Sequence, residues 1–187
     1  MTVPPAQPTV TVTAESPVPT VEACQIVADQ DVIVHSRPSE DASVFGTMAV
    51  GTRVVAEGRT PNGWLGFEPG VAQAANVGIF RLRWVKENED IRLVGECEGL
   101  PVLEGPPAGV CFTMPMVETA VHAEPDEAAA VIVTMAVGEY ASVTGRMDGW
   151  ARVDLSVGNT GREEEGWVRE ETLNLNGPCE DLPMVNP

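Results

Sequence analysis

The side chains of this chain whose chemistry goes beyond packing are four cysteines, two histidines and four tryptophans. Cys24, Cys97, Cys111 and Cys179 can pair as disulfides or hold a metal. A structural zinc site wants cysteines two to four residues apart, and no such pair occurs here. A nucleophile needs a base within hydrogen-bond reach. His35 and His122 are the only imidazoles, and they lie 87 positions apart. The expectation is therefore a non-catalytic protein with no catalytic residue, metal or cofactor. Trp64, Trp84, Trp150 and Trp167 stand out in a chain with one tyrosine. Indole buries a large area and keeps one N–H donor, so it serves cores and ligand grooves alike.

The histidine spacing is one trace of a duplication. "VFGTMAVG" at 44–51 returns as "VIVTMAVG" at 131–138. Aligning 24–59 with 111–146 makes 14 of 36 positions identical, including Cys24/Cys111, His35/His122, Gly58/Gly145 and Arg59/Arg146. Beyond that the register slips by one, so that "PNGW" faces "MDGW" and Trp64 pairs with Trp150. "RWV" then faces "GWV", pairing Trp84 with Trp167, and "CEGLPVL" faces "CEDLPMV". A repeat of this length suits a duplicated small domain better than a solenoid unit.

Helical periodicity is weak and strand signals dominate. "DVIVHS" alternates, with Val32 and Val34 on one face and Ile33 and His35 on the other. At Val54/Ala141 and Ala56/Val143 small and larger residues trade places, which suits one buried layer. "NGW" and "DGW" are tight-turn signals. Five or six short strands are expected per copy, closing on themselves to hide their edges. The fold class is all-β: two small barrels in tandem, each stapled by a disulfide at its ends. The expected layout is a Pro/Thr-rich stalk at 1–23, barrels at 24–97 and 111–179, a Pro/Gly linker at 98–110 and a tail at 180–187.

Four cysteines allow three pairings. Cys24–Cys97 with Cys111–Cys179 is favoured, because a closed barrel brings its ends together and equivalent copies should be stapled equivalently. Cys97–Cys111 with Cys24–Cys179 is the competing arrangement. Each favoured bridge would be worth roughly 4 kcal/mol in the chain-entropy view, comparable to a small domain's stability. Persistent disulfides imply export from the reducing cytosol. An extracellular or envelope location is expected, with the export leader removed. No apolar run is long enough for a membrane helix, so a membrane-spanning protein is not expected.

The net charge is −17, with −6 in residues 1–100 and −11 in 101–187. Such a surface repels phosphate backbones and anionic lipid, so neither is expected as a partner. The charge suits a solvated surface, cation binding or a basic partner, and a cell-wall, protein or peptide ligand is expected. The acidic loop within 154–166 carries Asp154, Glu163, Glu164 and Glu165. Oxygen-rich loops can bind Ca²⁺, but adjacent carboxylates point apart and a solvated loop tip is expected.

"VIVHSRPSEDASVFGTMAVGTRVVAEGRTPNGW" with "RWV", and "TAVHAEPDEAAAVIVTMAVGEYASVTGRMDGW" with "GWV", resemble bacterial SH3-like (SH3b) domains. The likeness covers roughly residues 24–179. It departs where the family commonly places an arginine after the first strand's valine; here His35 and His122 stand instead. The resemblance implies an exported, wall-associated protein and peptidoglycan peptide as ligand class. It is similar to members that carry a lipid anchor. A half-buried imidazole bonded to a loop carbonyl is expected at both histidines. Trp84 and Trp167 are expected inside the barrels. Trp64 and Trp150, directly after turns, are expected partly exposed, and with Phe67, Tyr140, His35 and His122 they form the candidate ligand groove. A structural or assembly subunit without small-ligand binding is the alternative.

Overall fold

The structure is a computed structural model that describes residues 22–73 and 76–186. All but the last two residues of the expected stalk lie outside it. The described chain is all-β, with only two single-turn 3-10 segments, at Gly78–Arg81 and Glu170–Thr172.

Residues 25–94 contain eight strands: β1 (Gln25–Ala28), β2 (Val32–His35), β3 (Val44–Met48), β4 (Arg53–Val55), β5 (Gly58–Arg59), β6 (Trp64–Phe67), β7 (Arg83–Lys86) and β8 (Ile91–Val94). Residues 112–176 contain seven: β9 (Phe112–Pro115), β10 (Thr119–His122), β11 (Val131–Met135), β12 (Ala141–Met147), β13 (Trp150–Gly158), β14 (Glu165–Arg169) and β15 (Leu173–Asn176). The pairing order is the same in both halves. In the second it is one sheet, β11-β10-β14-β13-β12-β9-β15. In the first it is the same path cut in two, β3-β2-β7-β6-β5 and β4-β1-β8. The cut falls at Ala56 and Glu57, between β4 and β5, where the second half has the single long strand β12.

Local sequence explains the turns. In the second half Met147 pairs with Trp150 across Asp148 (φ 42°) and Gly149 (φ 81°). Positive φ at both central residues is the geometry a two-residue hairpin favours. The first half has Pro61 in this turn, and proline is locked near φ −65°. Its loop is one residue longer, closed by Gly63 N–H to Thr60 O (3.1 Å). That is the one-residue slip seen between the two copies.

Each half wraps its own core. One holds Ile26, Val34, Met48, Leu65, Phe67 and Val85 among others; the other holds Val121, Met135, Val143, Val153, Leu155 and Val168. The alternation expected in β2 is observed, with Val32 and Val34 buried and Ile33 exposed. The disulfides are Cys24–Cys97 and Cys111–Cys179, with Cα–Cα distances of 4.8 and 4.9 Å. Each bridge is part of its core.

Three features differ from the sequence expectation. The barrels do not hide all their edges: β3 pairs only with β2, and β11 only with β10. The residues after each second cysteine are not free. Arg59 N–H donates to Pro101 O and Leu103 N–H to Arg59 O. Equivalently, Arg146 N–H donates to Pro183 O and Val185 N–H to Arg146 O. The likeness of "CEGLPVL" to "CEDLPMV" therefore has a structural cause: each strap lies along the matched arginine. A methyl group added at Gly58 would collide with the Leu103 side chain, and one at Gly145 with Val185.

The third difference is a junction between the halves. Phe80, from the first half, packs against Phe112 and Met114 of the second, with ring centroids 5.3 Å from Phe112 and 4.8 Å from Tyr140. Arg37 is buried. Its guanidinium donates to the carbonyls of Pro107, Val110 (2.6 Å) and Asn176 (2.7 Å) and to Asn176 Oδ1 (2.9 Å). Asn174 and Asn176 amides donate to Asn76 Oδ1 at 3.0 and 3.3 Å.

Candidate functional site

One arrangement of polar and aromatic groups is built twice. Strand alternation puts His35 on the outer face of β2, opposite Trp84 of β7. His122 takes the same place on β10, opposite Trp167 of β14. His35 Nδ1 lies 3.1 Å from Ala42 O, and His122 Nδ1 lies 3.2 Å from Ala129 O. A carbonyl only accepts, so Nδ1 carries the hydrogen, and Nε2 of the neutral ring is an acceptor. Both imidazoles are half-buried and carbonyl-bound, as expected.

Each ring stands edge-on to the tryptophan after the turn. His35 and Trp64 centroids are 5.2 Å apart at 84°, and His122 and Trp150 are 5.4 Å apart at 83°. A cation completes each group. Lys86 Nζ is 5.3 Å from the Trp64 ring, and the Arg169 guanidinium is 5.2 Å from Trp150. Lys86 and Arg169 are equivalent, each two residues beyond the matched tryptophan in "RWVK" and "GWVR". Cations over an indole face are attracted by its quadrupole. Lys86 also donates to Asn62 O (2.8 Å). Arg169 Nε lies 3.8 Å from carboxylates of both Glu127 and Glu171. Lys86 and Arg169 were not singled out in the sequence; their shared position after the second tryptophan was the signal available.

The expected exposure of Trp64 and Trp150 is corrected: they are 2% and 5% exposed. Sitting after a turn does not expose them, because the histidine edge and the cation cover the indole. They brace the site rather than form its surface. Trp84 and Trp167 are buried as expected, but the expectation that they lie inside the barrels is corrected: neither belongs to its half's central core. Trp84 packs with Trp64, Leu82 and the strap residue Leu103 on the outer side of the sheet. Phe67 belongs to the first core and is not part of either histidine group. Tyr140 lies at the junction beside Phe80 and Phe112. The six groove candidates thus do not form one groove: His35 with Trp64 and His122 with Trp150 are brought together, and Phe67 and Tyr140 stand apart from both.

The acidic loop forms no cage. Asp154 accepts from the Ser156 N–H (2.9 Å) and Oγ (2.6 Å). Glu165 pairs with Arg152, and the Glu164 backbone carbonyl takes the Leu155 N–H. Among the described residues no three acidic, histidine or cysteine side chains converge as metal ligands.

Arg37 was also missed. Its counterpart in the second copy is Glu124, so it is specific to the first half. Burial lowers its pKa to about 10, leaving it cationic at neutral pH. Burial also raises the Tyr140 phenol, with a further push from the Glu104 carboxylate.

No family model matches the chain, and no curated protein matches it. Among solved structures it is similar to NlpC2 and NlpC1 from Trichomonas vaginalis, at 11% and 12% identity and TM-scores of 0.30. The matches cover 81% and 87% of this chain but 47% and 48% of those proteins, so it spans about half their length. No helix among the described residues is long and apolar enough to cross a membrane.

Proposed function

We propose that the chain is a non-catalytic, exported binding module that recognises cell-wall peptide through two equivalent sites. The observation that carries this reading is the duplicated histidine–tryptophan–cation group, His35–Trp64–Lys86 and His122–Trp150–Arg169. Each places an imidazole Nε2 and a fixed positive charge around one braced indole. In a chain of net charge −17, such local cations suit a carboxylate-bearing peptide. The resemblance of both halves to SH3b domains supports peptidoglycan peptide as the ligand class. The two disulfides support export, since such bridges persist outside the reducing cytosol. Two sites on one body gain avidity on a repeating target.

The test is retention on purified, insoluble peptidoglycan, read with intrinsic tryptophan fluorescence. Wild type should be retained. His35→Ala with His122→Ala should lose most retention while both disulfides stay formed. Wild type that neither pellets with the wall nor changes fluorescence would sink the proposal. A structural role as a rigid spacer is the second reading, favoured by the Arg37 clamp. Concentration-dependent assembly without wall affinity, seen by light scattering, would support that instead.

A further inference from the structure

The repeated octapeptide has no role in the sites above. It forms β3 and β11 with their following turns, equivalent terminal strands in the sheet order of each half. Of the six residues identical between the copies, only Met48/Met135 is buried; the other five pairs are exposed. Gly51 and Gly138 are explained by positive φ, +82° and +99°. The valine pairs Val44/Val131 and Val50/Val137 have no such conformational reason, and all four are exposed by more than half.

The two edges also share a bulge. His35 pairs with Val44 and Val34 with Gly46, leaving Phe45 as the extra residue. His122 pairs with Val131 and Val121 with Val133, leaving Ile132. A bulge re-aims a side chain, and here it turns out a large apolar one, 44% exposed for Phe45 and 41% for Ile132. Different neighbours accommodate it. The Arg83 guanidinium lies 4.6 Å from the Phe45 ring. Gly166, at the matching position, leaves the space that Ile132 occupies. Beside β3 runs a cleft of roughly 220 Å³ lined by Val34, Phe45, Met48, Val54, Phe67 and Pro69.

Natural edges are usually blunted by lysine or proline. Neither occurs in "VFGTMAVG" or "VIVTMAVG", and neither stretch carries a charge. Acidic groups bracket them instead. Glu40 and Asp41 precede β3, and exposed Asp31 takes the Val50 N–H (2.9 Å) beyond it. Glu124, Asp126 and Glu127 precede β11, and Glu139 takes the Ala136 N–H (2.9 Å) beyond it. Of the basic residues nearby, Arg37 is engaged at the junction, Arg162 with Glu139 and Arg83 on the Phe45 ring, while Arg53, two residues after Gly51, is exposed.

We infer that β3 and β11 are docking edges for an extended segment of a partner protein, apolar at alternate positions and basic at its ends, added as a further strand. Main-chain hydrogen bonds supply affinity in this mode, and pockets for alternate side chains supply selectivity. The acidic brackets repel a second copy of this chain and favour a cationic segment. The inference does not depend on wall binding by the histidine sites.

The probe is a fluorescently labelled decapeptide of alternating valine and threonine with two lysines at each end, titrated by anisotropy into the full chain. Saturable binding is expected, with slowed amide exchange in 44–48 and 131–135. Phe45→Lys with Ile132→Lys should weaken it by about tenfold or more, with both disulfides formed and the far-ultraviolet circular dichroism of the wild type retained. A glutamate-flanked peptide should not bind. Absence of binding overturns the inference, as does equal binding of a lysine-flanked peptide with prolines at alternate positions, which cannot pair as a strand. Sedimentation showing wild type self-associated and the double variant monomeric also overturns it, in favour of a second copy. Loss of wall retention in His35→Ala with His122→Ala leaves this binding unaltered.

Discussion

Arg37 shows how one side chain can override the symmetry of a duplicated sequence. At the same place in the second copy stands Glu124, which faces solvent. Arg37 turns inward and donates to three backbone carbonyls. Its counterpart across the contact is Gly177, at φ +110°, where a methyl group would lie 2.6 Å from Val110 O and press into the guanidinium. Tyr140 reports on the same junction, and it is the only tyrosine in the chain. Its phenol is held above its ordinary pKa by burial first and by Glu104 second. The unfolded chain therefore ionises its tyrosine at lower pH than the folded one. Stability from this group is fully present below the unfolded value near 10 and is lost as pH rises through the folded value. Absorbance titration near 295 nm should show a later phenolate transition in the folded protein than in urea. Arg37→Ala should move the folded transition back toward the unfolded one. None of this was legible in the sequence, because a lone arginine in a polar loop carries no mark of what it will meet.

At the scale of elements the sequence was more informative. The cysteines bracketing each copy, the alternation of "VIVH" and the turns before Trp64 and Trp150 all reappear in the structure. What could not be read was register. Which strand remains an edge depends on pairings between distant segments, so the most conspicuous repeat emerged as surface. Nor does a turn foretell the exposure of the residue after it, as Trp64 and Trp150 show. The straps after Cys97 and Cys179 were visible as matched sequence, yet the prolines and glycines of 98–110 made the first look like a linker, and the second was read as a tail. Leu182 is partly buried against the second core, and Pro183 and Val185 extend the pairing of Arg146. Removing residues 182–187 should destabilise that half by about 2–3 kcal/mol, from one leucine's burial and two backbone hydrogen bonds. Thermal unfolding of the truncated chain, with the Cys111–Cys179 bridge intact, measures it. An unchanged midpoint would mean the strap adds nothing to the fold.

At the scale of the whole molecule, two small cores would each be marginal without a staple. The bridges close spans of 73 and 68 residues, worth on the order of 4 kcal/mol each in the chain-entropy view. The halves then behave as one body only if the junction couples them. That coupling fixes the spacing of the two histidine sites and of the two edges, and it is the claim on which the bivalent reading depends. Scanning calorimetry tests it most directly, with wild type compared to Arg37→Ala combined with Phe80→Ala. Wild type should melt in one transition whose calorimetric and van't Hoff enthalpies agree, and the double variant in two. A wild type that already melts in two steps, or a double variant that keeps a single cooperative one, would contradict it.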